Sequence, residues 1–154
     1  MRIHFSINRL LVLLLAAACG IQAGAVEADV QPLTYYVQLI RGTDQDRGQE
    51  AAWKPIGPKL TSRLSPVFRW KHYWEVHRQA IPVQQKNVRR YHLSDVREVE
   101  IELLSPAEIE IRLYLKGKLM EKSRQLTQTH MGIIGGDRIG DESWFVVVRR
   151  DKPH

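Results

Sequence analysis

Residues 98–115 read EVEIELLSPAEIEIRLYL, two alternating runs around the break Ser105-Pro106-Ala107. In the first, Val99, Ile101 and Leu103 alternate with Glu98, Glu100 and Glu102. In the second, Ile109, Ile111, Leu113 and Leu115 alternate with Glu108, Glu110, Arg112 and Tyr114. A period of two with acids on the wet side is the pattern of half-buried antiparallel strands. The glutamates therefore read as an exposed face near Lys116, Lys118 and Lys122, not as the paired carboxylates of a glycosidase cleft.

Working outward, Lys116-Gly117-Lys118 forms a tight turn into a strand near 119–125. Residues 33–41 place Tyr35, Val37 and Leu39 on one face. Residues 67–78 place Phe68, Trp70, His72, Trp74 and Val76 inward, with Arg69, Lys71, Tyr73, Glu75 and His77 outward. The turn 84–87 joins a strand at 80–83, marked as an edge or a strand start by Pro82, to one at 88–93. Residues 132–137 open a loop, and SWFVVVRR (143–150) closes the chain as a last strand. Only 58–65 has helical spacing, through Leu60 and Leu64, while 44–57 has the composition of an exposed loop. The expected fold is all-β: an antiparallel β-sandwich or partly open barrel of about seven to eight strands with one short helix.

The chain has 154 residues, and the first 25 read as a bacterial-type signal peptide. Arg2 and Arg9 precede the apolar run 10–18, which is shorter than the roughly 20 residues a membrane-spanning helix needs. Cleavage is expected after Ala25, with Ala28 as the alternative. The stretch Ala16-Ala17-Ala18-Cys19-Gly20 also resembles a lipobox, so lipidation at Cys19 is a competing fate. Residues 26–33 then form a tether, and 34–154 a single β-sandwich domain. Beyond Cys19 the chain has no cysteine, which removes disulfides, thiol catalysis and thiolate metal sites from the folded part.

Without residues 1–25 the formal charge falls from +6 to +4, and it is unevenly spread. Residues 34–97 hold twelve Lys or Arg against five acids; residues 98–154 hold nine against ten. Arg69, Lys71, Tyr73, Arg89 and Arg90 could form a basic, aromatic strand face for an anionic glycan or lipid head group. The alternative is a solvated outer face whose cations discourage edge-to-edge pairing. Nucleic acid is not expected as a partner of an exported chain.

No metal or catalytic constellation stands out. His72 and His77 fall on opposite faces of a strand, and His92 and His130 are isolated. Asp137, Asp141 and Glu142 share the glycine-rich stretch 135–143, which reads as a β-connection with positive-φ glycines rather than a calcium loop. No serine lies in G-x-S-x-G. A hydrolase would have to draw on Asp137, Asp141, Glu142 or His130.

Three stretches, YYVQLIRGTD (35–44), KPIGPKLTSRLSPVFRWKHYWEV (54–76) and GGDRIGDESWFVVVRR (135–150), together resemble an uncharacterised family of small exported bacterial all-β proteins. The resemblance implies an exported β domain and carries over no activity, cofactor or catalytic residue. The expectation is thus an exported cell-envelope β domain, periplasmic or extracellular, acting as a non-enzymatic module on another envelope protein. The alternatives are a polyanion- or glycan-binding module on the basic strand face, and a hydrolase with an unrecognised site. No cofactor is expected.

Overall fold

The computed structural model describes residues 32–46 and 53–153. The leader with Cys19 and Ala25, most of the tether, residues 47–52 of the expected loop, and His154 lie outside the described residues. Nine strands and one helix follow in the order β1 (Leu33–Thr43), β2 (Lys54–Pro55), α1 (Pro58–Phe68), β3 (His72–Val83), β4 (Arg90–His92), β5 (Arg97–Ser105), β6 (Glu108–Leu115), β7 (Lys118–Leu126), β8 (Met131–Ile139) and β9 (Glu142–Arg149). They form two antiparallel sheets, β2-β3-β1-β9-β8 and β4-β5-β6-β7, that pack as an unclosed all-β sandwich.

The alternation in 98–115 holds. Val99, Ile101, Leu103, Ile109, Ile111 and Leu113 face the first sheet and meet Tyr35, Val37, Leu39, Ile81, Val83, Val146 and Val148 in the main core. The turn Lys116-Gly117 has φ of 49° and 75°, the two left-handed residues of a type I′ hairpin, which glycine accepts without strain.

The central strands β1 and β9 of the first sheet are buried on both sides. The far face of this sheet meets α1 in a second core of Ile40, Leu60, Leu64, Tyr73, Met131, Phe145 and Val147. Strand β9 therefore runs continuously apolar, with even-numbered valines toward the second sheet and Phe145 and Val147 toward the helix. Helix α1 starts at Pro58, buries Leu60 and Leu64, and ends at Arg69, whose left-handed backbone (φ 58°) halts it.

Several boundaries differ from the sequence reading. Leu33 belongs to β1, not to the tether. The helix takes Val67 and Phe68 from the expected strand because the Phe68 ring packs on Phe145, with centroids 4.3 Å apart. Residues 80–83 are not a separate strand but continue β3, whose pairing to β1 shifts register between Leu39 and Ile40. The facing of β3 also reverses: Tyr73 and Glu75 are buried, whereas Trp70 and Trp74 are half-buried. Tyr73 is amphipathic, its ring in the α1-side core and its hydroxyl accepting the Trp70 N–H at 3.2 Å. Glu75 is held by the side chains of Gln38 and Arg78. The expected loop at 132–137 is strand β8, with Gly135 and Gly136 at φ of 90° and 112° where the ladder bulges. The turn at 84–87 does not close a hairpin ladder; it carries the chain from one sheet to the other.

Candidate functional site

The two sheets diverge where the edge strands β7 and β8 meet, and a cleft of about 240 Å³ opens between them. Leu39 of β1, Leu113 and Leu115 of β6, and Trp144 and Val146 of β9 line it, with Met120 and Glu121 of β7 facing Gly135 and Asp137 of β8 at the mouth. Each comes from a distant part of the chain, so only the packed sandwich assembles the cleft. Glu121 accepts the Gly135 N–H at 2.9 Å across the mouth.

The wall behind Trp144 is a stack of rings and guanidinium groups. Arg41 lies over Trp53 at 4.6 Å and over Trp144 at 5.5 Å, and Arg97 lies over Trp144 at 4.4 Å. Both arginines are buried and paired, Arg41 with Glu142 and Arg97 with Asp137 at 2.9 Å. Guanidinium–indole contacts are worth about 0.5–1 kcal/mol at exposed sites and about 2 kcal/mol when desolvated, so the two arginines stabilise this wall.

Of the sheet edges, β7 stands out. Leu119, Met120 and Leu126 are 52%, 59% and 52% exposed on this nine-residue strand. The other edges are blunted: β4 has three residues, β8 bulges at its glycines, and β3 is overlaid at Trp74 and Glu75 by β2 and carries Pro82 beyond.

The outer face of the second sheet is not the solvated acidic surface expected. Arg112 bridges Glu100, Glu102 and Glu110; Arg90 reaches Glu98 and Glu100; Lys122 and Arg124 close on Glu110. Cross-strand register explains it, since Glu102 faces Glu110 and Glu100 faces Arg112, which itself faces Lys122. Glu110 lies beneath its cations, and the Lys122 ammonium, opposed by burial and helped by Arg124 and Arg112, holds its carboxyl down at about 2. At Glu100 burial works upward, but the Tyr114 hydroxyl, Arg90 and Arg112 outweigh it and lower the carboxyl. Lys116 and Lys118 pair with none of the described residues.

The sequence candidates are not gathered into one face. Arg69 and Lys71 are exposed between α1 and β3, but Tyr73 is buried beside them, with its ring 6.4 Å from that of Phe145. Arg89 and Arg90 lie beyond the far end of β3, whose twelve residues span roughly 36–40 Å, and Arg90 is committed to Glu98 and Glu100. Arg90 also lies over the Tyr114 ring at 3.7 Å. Among the hydrolase candidates, Asp137 and Glu142 are tied to arginines, Asp141 sits in the exposed β8–β9 turn, and His130 precedes the opposite end of β8. Among the described residues no cluster of three or more His, Cys, Asp or Glu could hold a metal ion, and no helix is long and apolar enough to cross a membrane. The cleft escaped the sequence reading because its walls are core-type aliphatics, and its charged residues Arg97, Glu121 and Asp137 come from three separate strands that only the fold brings together. The one available signal was the pair Leu119-Met120, two consecutive apolar residues where alternation allows one.

No family model, no curated protein and no solved structure matches the chain.

Proposed function

We propose that the chain is an exported, non-enzymatic domain of the cell envelope that binds another envelope protein by strand addition at the open edge of β7. The observation that supports this most directly is the β7 edge itself, long, unpaired on one side and lined by exposed Leu119, Met120 and Leu126. Backbone groups on such an edge accept an added strand, and apolar side chains flanking it supply pockets for its residues. The leader read in residues 1–25 supports the compartment.

The test is capture of partner from solubilised envelope on the immobilised chain, washed at about 0.5 M salt, where the Debye length is only a few ångströms. Leu119→Glu together with Leu126→Glu leaves an exposed surface folded and is expected to lower capture at least tenfold. Capture that ignores both changes overturns strand addition at β7. Release of glycan or lipid alone at low salt would shift attention to Lys71 and Arg89.

A further inference from the structure

We propose that the cleft between the sheets receives a lysine side chain, carried by the extended partner segment that adds to β7; this rests on the strand-addition reading above. A strand laid on β7 continues the second sheet across the seam toward β8, and every second side chain then points into the sandwich. The cleft is the space such a side chain enters.

Its interior selects an aliphatic stem. Leu39, Leu113, Leu115 and Val146 form the lining, with Met120 at the mouth. Of its two aromatic lining residues, Trp144 already carries Arg97 at 4.4 Å and Arg41 at 5.5 Å, and Tyr114 carries Arg90 at 3.7 Å, so an incoming ring would compete with guanidinium groups already in place. At about 240 Å³ the cleft is larger than the cavities of about 150 Å³ that hold a benzene ring, which is room for a four-methylene stem.

The rim selects a cation. It carries Glu121 and Asp137 against Arg97. Arg97 pairs with Asp137 at 2.9 Å, and the Glu98 carboxylate belongs to the outer face, with Arg90 at 3.6 Å and His92 at 3.4 Å. No cation among the described residues pairs with Glu121, which holds only the Gly135 N–H. One negative charge is thus left over at the mouth of an apolar cleft, in a chain of formal charge +6. A lysine satisfies both features, burying its stem while its ammonium stays at the wet rim.

Besides Met1, the chain holds Met120 at the cleft mouth and Met131 in the α1-side core, so methyl-labelled methionine in the full chain, assigned by Met120→Leu, gives a probe and an internal reference. Titration with butylamine, pentylamine and hexylamine is expected to move the Met120 resonance saturably and leave Met131 in place. Affinity should tighten about fourfold per added methylene, the equivalent of its transfer free energy. Hexanoate should bind at least tenfold more weakly, and Glu121→Gln, at an exposed site, should abolish that preference but keep the chain-length dependence. A five-residue β-forming peptide with a central lysine should bind more tightly than hexylamine and than its glutamate twin.

A still Met120 resonance, hexanoate equal to hexylamine, or a preference that survives Glu121→Gln overturns the proposal. So does a lysine peptide no tighter than hexylamine, which would make the ligand a free amine. If the amines fail while Leu119→Glu with Leu126→Glu still abolishes partner capture, the lysine falls and strand addition stands. If the amines bind but capture ignores the edge variants, strand addition falls and takes the lysine with it.

Discussion

Arg41 sits near the end of the buried strand β1 with Trp53 and Trp144 against its guanidinium and Glu142 as its counter-charge. Lysine would keep the charge but lose the flat, weakly hydrated group that stacks on indole. Arg41→Lys is therefore expected to cost on the order of 1–2 kcal/mol, read as a lower urea midpoint at unchanged slope. At Glu110 the issue is protonation. Its folded carboxyl is held at about 2, below the ordinary 4.5, so the unfolded chain takes up a proton that the folded chain refuses. The stability this adds is full above pH 4.5 and is lost as pH falls toward 2. Glu100 shifts the same way, as does Asp151, which Arg149 and Lys59 hold low. Urea midpoints should be flat from pH 7 to about 5.5 and fall below pH 4.5, with a shallower fall in Glu110→Gln.

At the scale of the element, legibility depended on whether a strand has a polar face. Strands β5 and β6 each show one, so their alternation was plain, and the Lys116-Gly117 turn between β6 and β7 followed from its residues. Strand β9 has none, and its run of valines marks a strand without saying which neighbours flank it. Strand β3 misled because Tyr73 and Glu75 are polar by type yet buried by partnership with Trp70, Gln38 and Arg78. Even less legible was the passage from β3 to β4: a turn sequence fixes a reversal, not the sheet that the next strand joins. The helix carries its own prediction. Leu64 is fully buried beneath α1 against the first sheet, so Leu64→Ala should cost about 2–5 kcal/mol in chemical denaturation. Lys116→Asn should instead add about 0.5 kcal/mol, because asparagine takes the left-handed turn position more readily than lysine.

Across the whole molecule, stability should be graded outward from the pair β1 and β9. Both are hydrogen-bonded on two sides and buried on two faces, whereas β4, β7 and β8 are edges. Native-state hydrogen exchange is expected to show the slowest amides in β1 and β9, and the fastest strand amides in β4, β7 and β8. Slow exchange throughout β7 would mean that a partner, or a second copy, already covers it. Such a gradient would leave the seam beside the cleft as the region that opens at least cost, which suits the strand addition proposed at β7.

The antiparallel pairing of β1 with β9 has a geometric consequence. Tyr36 lies opposite Arg149, so the chain enters and leaves the sandwich side by side, at one pole. Trp144, opposite Arg41, is five residues along and marks the cleft roughly 17 Å toward the other pole. A chain held to a surface by the segment before residue 32 would therefore stand on that pole and present the cleft outward. Its reach would be set by the tether, and its aim by the sandwich.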